Sequence, residues 1–466
     1  MITPVRRMLL LGALCAAALT ARAQVIELRA TINAAQENPA TTSPATGTAI
    51  MLYDIGTNTF DLMVSITGMA NTATASHIHE AVAGANGPVV TGLGAEAVYT
   101  RTGNTLTATF RNVTHLGDKL KLINGSSYYN IHSAQFPGGE VRGQLIPRPV
   151  RLVANMTVAQ EAAVFPALNF SALNDFGAAV MFYDPMANTI SLRSSIYNFN
   201  NTFSNSHFHE GAPGIGGPVV HNLGNNANAG GYNNTSGAIQ GSFDAPFLGN
   251  PLSLLAGNLY LNYHSSGTFS NGELRGQVRV SNELATTRFA NLSVRGFVGT
   301  GEQVLIQGIT VNGPDPIRAV ITAKGPSLTA FGITGALANP RLALHDSAGR
   351  QIAVNDDVGT VAAGSELASI PGVPRNTLES ALVVVLPPGN YTAIVSAASG
   401  TGVALLEVTD LRNFTGVVTA ASADASLVLL RDRAASPKAG SMAAAAARAA
   451  LELCSGVPLT VAVAQR

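Results

Sequence analysis

Charge is scarce in this 466-residue chain. Only 12% of residues are charged, and 27 basic side chains balance 27 acidic ones to a formal net charge of zero. An ordinary globular protein carries about 25%. The neutral balance argues against a nucleic-acid binder, which needs a basic face, and gives no electrostatic attraction to anionic membranes. Tryptophan is absent, and cysteine occurs only at Cys15 and Cys454. Cys15 lies in an N-terminal apolar run that is expected to be removed. The mature chain would then hold one thiol and could close no internal disulfide, so folding rests on burial alone. Beyond the N-terminus no apolar stretch reaches the ~20 residues that a bilayer span needs. Enzymatic signatures are missing too. There is no Walker loop, no dinucleotide fingerprint after a strand, no His-Glu-x-x-His and no Gly-x-Ser-x-Gly.

What is present points to a multidomain, strand-rich, exported protein. Apolar residues make up 46% of the chain, enough for several cores, and the length suggests three or more domains. The 47 glycines and 23 prolines suit short strands with many turns. The start has a basic segment with Arg6 and Arg7, an apolar run from Met8 to Leu19, and Ala21-Arg22-Ala23. This reads as a secretory signal peptide over 1–23, cleaved after Ala23, and predicts a secreted, extracellular or periplasmic protein of bacterial type.

An internal duplication organises the next 250 or so residues. Gly47-Thr-Ala-Ile-Met-Leu-Tyr-Asp54 matches Gly177-Ala-Ala-Val-Met-Phe-Tyr-Asp184, and Ser76-His-Ile-His-Glu80 matches Ser206-His-Phe-His-Glu210. Gly87-Pro-Val-Val90 matches Gly217-Pro-Val-Val220. Further on, Tyr128-Tyr-Asn-Ile-His-Ser133 matches Tyr260-Leu-Asn-Tyr-His-Ser265, and Gly139-Glu-Val-Arg-Gly-Gln144 matches Gly272-Glu-Leu-Arg-Gly-Gln277. Residues 26–147 and 150–281 therefore read as two copies of one domain. Within each copy side chains alternate with a period of two between frequent turns. That predicts an all-β fold of tandem, Greek-key-like antiparallel β-sandwiches, with no amphipathic helix before residue 440. Residues 286–410 read as a third β-sandwich, with Pro387-Pro-Gly-Asn390 as a turn between strands. Residues 411–466 read as an Ala-rich, low-complexity tail.

Six of the nine histidines occupy matching places: His77, His79 and His132, then His207, His209 and His264. On a strand, residues i and i+2 share a face, so His-x-His aims two imidazoles at one space. A third histidine from a neighbouring strand would complete a three-nitrogen site suited to copper or zinc. The same residues could instead make structural hydrogen bonds without a metal. Glu80 and Glu210 should point to the opposite face. Glu140, Arg142 and Gln144 share one strand face, as do Glu273, Arg275 and Gln277. Each set is either a solvated polar surface or a support that orients the histidines. His115, His221 and His345 lack counterparts and read as surface residues.

These motifs, in this order, resemble the CHRD (chordin-type) domain. The resemblance implies an extracellular β-sandwich module and no agreed activity. The cysteine-rich growth-factor-binding repeats of chordin are absent, so that role does not carry over. His77-Ile-His-Glu80 is also similar to the copper-ligand strand of copper–zinc superoxide dismutase, which favours copper if a metal binds. The zinc loop and disulfide of that enzyme have no counterpart here. Leu342-Ala-Leu-His-Asp-Ser-Ala-Gly349, Asn355-Asp-Asp357 and Leu386-Pro-Pro-Gly-Asn-Tyr391 resemble the bacterial prepeptidase C-terminal β-sandwich. Asn355, Asp356 and Asp357 could offer oxygens to Ca²⁺, or form an Asx turn. The expected function is a secreted, non-enzymatic protein that binds an extracellular protein or surface ligand. The alternative is a metal-binding protein with one three-His site per copy, or, further off, a redox enzyme.

Overall fold

The computed structural model describes residues 24–224, 232–233, 237–281, 291–360, 366–370 and 372–411. The expected signal peptide and almost all of the Ala-rich tail, with both cysteines, lie outside the described residues. Among the described residues no helix is long and apolar enough to cross a membrane.

The first unit has ten strands: β1 (Val25–Asn33), β2 (Thr46–Asp54), β3 (Thr59–Thr67), β4 (Ala73–His79), β5 (Val89–Gly94), β6 (Thr100–Thr102), β7 (Thr105–Thr114), β8 (Tyr128–Ser133), β9 (Val141–Gln144) and β10 (Ile146–Pro147). They form one curled antiparallel sheet in the order β5-β4-β8-β9-β1-β2-β3-β7-β6, with β10 also on β1. The chain leaves β3 for β4 and β7 for β8 by crossing the sheet, which makes the path Greek-key-like. The second unit repeats this with β11 (Val150–Thr157), β12 (Phe176–Asp184), β13 (Thr189–Tyr197), β14 (Phe203–Glu210), β15 (Val219–Asn222), β16 (Tyr232–Asn233), β17 (Ile239–Pro246), β18 (Leu259–Ser265), β19 (Leu274–Gln277) and β20 (Arg279–Val280). Its strand order is β15-β14-β18-β19-β11-β12-β13-β17-β16, the same arrangement.

Period-two burial explains the curl. In β1, Ile26, Leu28, Ala30 and Ile32 are buried, and the residues between them are more exposed. In β2 the alternation sends Ala49, Met51 and Tyr53 into the core, while Ile50 and Leu52 form a separate small cluster on the outer face. One continuous apolar core runs through both units. The α-helices of these two units, missing from the sequence reading, are short: Lys119–Ile123, Val158–Ala162 and Pro251–Leu255. Each is set by a side-chain cap, from Asp118, Thr157 and Asn250. Five residues are too few to show a helical period.

The third unit is a β-sandwich built from β21 (Asn291–Val298), β22 (Leu305–Val311), β23 (Ile317–Lys324), β24 (Asn339–His345), β25 (Gln351–Asn355), β26 (Ser380–Leu386), β27 (Gly389–Ser399) and β28 (Gly402–Asp410). One sheet is β21-β28-β23-β26 and the other β22-β27-β24-β25. The Pro387–Asn390 turn therefore passes between sheets and does not close a hairpin. Asn355 serves a turn: its Oδ1 accepts from Ala381 N–H and its Nδ2 donates to the Asp357 carbonyl. The Asp356 carbonyl accepts from the Ser380 hydroxyl.

Candidate metal centre

The β4–β8 pairing places the first trio. Ile78, Tyr129 and Ile131 fill the core from one face, and the alternation turns His77, His79 and His132 to the other. His132 sits opposite Ala75, one step along from the pair. In each unit the ligating atoms of all three histidines lie within 4.8 Å of one another, in the sets His77–His79–His132 and His207–His209–His264. The convergence expected from the sequence therefore occurs in both copies.

Hydrogen bonds set the tautomers. His79 Nδ1 lies 2.9 Å from the Gly87 carbonyl, and His132 Nδ1 lies 3.0 Å from the Pro137 carbonyl. A carbonyl only accepts, so both protons sit on Nδ1 and both Nε2 atoms carry lone pairs. His77 Nδ1 is 3.2 Å from His132 Nε2. Two nitrogens held by one tetrahedral ion at 2.0–2.1 Å would be about 3.3 Å apart. The second unit repeats each contact: His209 to the Gly217 carbonyl at 2.9 Å, His264 to the Ser270 carbonyl at 3.0 Å, and His207 Nδ1 to His264 Nε2 at 3.1 Å. Nε2 of His79 and of His209 is buried with no hydrogen-bond partner. Burial lowers the pKa of His77, His79, His209 and His264. Burial, with the neighbouring His264 and His209, pushes His207 down to about 4. These imidazoles are neutral near pH 7, the form that ligates a metal.

Rings and loops hold the trio in place. His79 stacks on Tyr128 at 4.8 Å between centroids, and the Arg142 guanidinium lies 4.1 Å from the Tyr128 centroid. His209, Tyr260 and Arg275 make the same stack. The Tyr128 hydroxyl accepts from Gly87 N–H, so one residue fixes both the tyrosine and, through its carbonyl, His79. A Cβ on Gly87 would fall 1.9 Å from the Glu80 carbonyl oxygen, and one on Gly217 1.6 Å from that of Glu210. No larger residue fits there, which explains the repeated Gly-Pro-Val-Val.

The polar strand face is buried, apart from the half-buried Gln277, and is not a solvated surface. None of its members bonds a histidine directly. Arg142 donates to the Ala85 carbonyl and Gln144 to the Ala81 carbonyl, so both clamp the loop that presents Gly87. Arg275 and Gln277 do the same through Ala212, Ile215 and Gly211. Glu140 accepts from Ser43 and Asn71, and Glu273 from Asn201 and Ser265. Glu80 is turned away as expected, accepting from Asp118 N–H and Lys121, and Glu210 accepts from Ser253.

Two expectations need correcting. His115 and His221 are not surface residues; they are 1% and 5% exposed. His115 packs edge-on against Tyr53 and Phe60, and His221 stacks on Phe247. Leu248 N–H donates to His221 as Leu116 N–H donates to Thr91 in the first unit, so the ring replaces a hydroxyl. The sequence reading also missed Glu37 and Glu161, whose carboxylates accept from Asn130 and Asn262 beneath the trios. Their signal was a short repeat, Ala35-Gln-Glu37 and Ala159-Gln-Glu161. A longer loop in the second unit puts that repeat out of step with the other matches.

The CHRD domain family model matches residues 28–145 and 152–278, more than half of the chain. The chain belongs to the CHRD domain family. Each trio and its supporting strand lie inside a matched CHRD region. The third unit lies outside both. No curated protein gives a significant match. Among solved structures, a similar chain is an exo-β-1,3-galactanase from Phanerochaete chrysosporium with galactose, at 8% identity, 78% coverage of each chain and a TM-score of 0.15. A likeness at that score carries no argument about this protein.

Proposed function

We propose that this CHRD protein is an exported, non-enzymatic binding protein whose two CHRD units each hold one transition-metal ion, copper or zinc. The observation that carries the reading is the buried Nε2 lone pair of His79, and of His209, left without a donor. A buried unsatisfied acceptor costs about 1–3 kcal/mol. A metal ion removes that cost and uses the other two nitrogens aimed at the same point. The donor set is three neutral imidazoles with no thiolate, which suits a borderline cation. Binding without turnover is supported by the carboxylates, since Glu80 and Glu210 are committed to the far face. The basic, apolar and Ala-x-Ala segments at the N-terminus support export. The third unit serves as an accessory module, in keeping with its likeness to the prepeptidase C-terminal sandwich.

Calorimetry with Cu²⁺ and Zn²⁺ tests the reading. Two ions should bind per chain, one in His79→Ala and one in His209→Ala. A titration unchanged by either substitution would leave the histidines as structural hydrogen-bonding residues.

A further inference from the structure

We propose that the two metal sites differ in their fourth coordination position: the first unit leaves it open to a small anion, and the second screens it with asparagine side chains. This rests on the metal reading above. The two trios are alike, but three of their neighbours are not. Directly opposed residues on antiparallel strands share a face, with Cβ atoms about 4.5–5.5 Å apart. In the first unit His132 is opposed by Ala75 and His77 by Gly92. In the second, His264 is opposed by Asn205 and His207 by Asn222. The third place follows the carbonyl that holds the last histidine. Gly138 comes after Pro137, whereas Asn271 comes after Ser270. Ala75, Gly92 and Gly138 thus become Asn205, half-buried, and Asn222 and Asn271, both exposed.

The space follows the substitutions. A Cβ on Gly92, or on Gly138, would meet no atom within 4 Å. His132 is half-buried, while its counterpart His264 is only 6% exposed. His79 and His209 are equally buried, at 8% each. The difference is therefore confined to the side where small residues give way to asparagine. The amide oxygens of Asn205 and Asn222 are taken by the N–H groups of Ser206 and Gly224, which holds both side chains against the strands.

Charge selects the ligand class. Three neutral imidazoles leave a divalent ion its full charge, and Arg142 lies close by over Tyr128. A compact monodentate anion is favoured at such a position.

Azide on the copper-loaded protein tests this, read by its charge-transfer absorption. The wild-type chain should bind two coppers and one azide. His79→Ala should keep one copper and lose the azide band, and His209→Ala should keep one copper with the band. The double variant Asn205→Ala, Asn222→Gly should take two azides. Two azides or none on two coppers in the wild type, or a band that survives in His79→Ala, overturns the inference and leaves the metal reading intact. A wild-type chain that binds neither Cu²⁺ nor Zn²⁺ overturns the metal reading itself. The wild-type stoichiometry decides without any variant.

Discussion

Glu37 is a carboxyl buried beneath the first trio, against Asn130 and Arg142. Burial raises its pKa from 4.5 to about 7, and Arg142 and the Asn130 hydrogen bond only partly oppose this. The sign follows from linkage. A raised folded pKa means that the folded state holds the proton more tightly than the unfolded chain does. The resulting stability is fully present below about pH 4.5 and is lost as pH rises through about 7. The loss is on the order of 2–3 kcal/mol. Glu37→Gln keeps an acceptor for Asn130 and cannot ionise. Relative to the wild type it should gain stability between pH 5 and pH 8, measured by urea unfolding at both. An equal difference at the two pH values would show that Glu37 does not titrate in this window.

The element that governs the site is the loop from Glu80 to Val89, not the histidine strand. β4 and β8 supply the rings, but this loop fixes the His79 tautomer and anchors Tyr128 through Gly87. Arg142 and Gln144 hold the loop by its carbonyls. Gly87→Ala must move the loop, because the new Cβ overlaps the Glu80 carbonyl. Overpacking of this kind costs about 1–3 kcal/mol. The variant should also weaken metal binding in the first unit and leave the second unchanged. Denaturant unfolding and a two-site copper titration check both parts. Unaltered affinity at the first site would mean that the loop does not position His79.

At the scale of the whole molecule, the second and third units are locked together and the first is not part of that lock. The sheet edge β26 lies against β12 and β13. Its backbone is satisfied by side chains of the second unit. Tyr197 donates to the Val385 carbonyl, Ser195 accepts from Val385 N–H, and Gln240 donates to the Val383 carbonyl. Val153, Ala178, Val180 and Val385 form an apolar seam. Asp315, fully buried, pairs with Arg151 and Arg279 and accepts from Ser281. The equivalent positions of the first unit carry Arg29, Thr48, Thr67 and Thr107, with Ile50 in the place of Val180. Asp315→Asn removes the buried charge that Arg151 and Arg279 share, a change worth about 3–5 kcal/mol for a buried pair. The third unit should then melt separately in scanning calorimetry. One unshifted transition would show that the lock does not depend on Asp315.

The sequence by itself determined the period of two, the duplication and the six histidines. Each of these is local or is a comparison of the chain with itself. Ile78 between His77 and His79 already put both rings on one face. Repeated glycines marked close approaches, although not what they approached. Tertiary structure decided the rest. His132 joins the pair only because β8 lies beside β4, a pairing across more than fifty residues that no local pattern specifies. Glu37 and Arg142 are polar by type and buried by position, and their burial depends on loops that no local pattern places. His221 lacked a repeat partner because its ring stands where the first unit has the Thr91 hydroxyl, and His115 because Phe247 takes its place in the second unit; both substitutions are visible only where the backbone contacts match. The choice of which CHRD unit holds the third sandwich lay in a few outward-facing side chains of β11, β12, β13 and β17. Their alternation matches that of the first unit, so only the contact with β26 gives them a meaning.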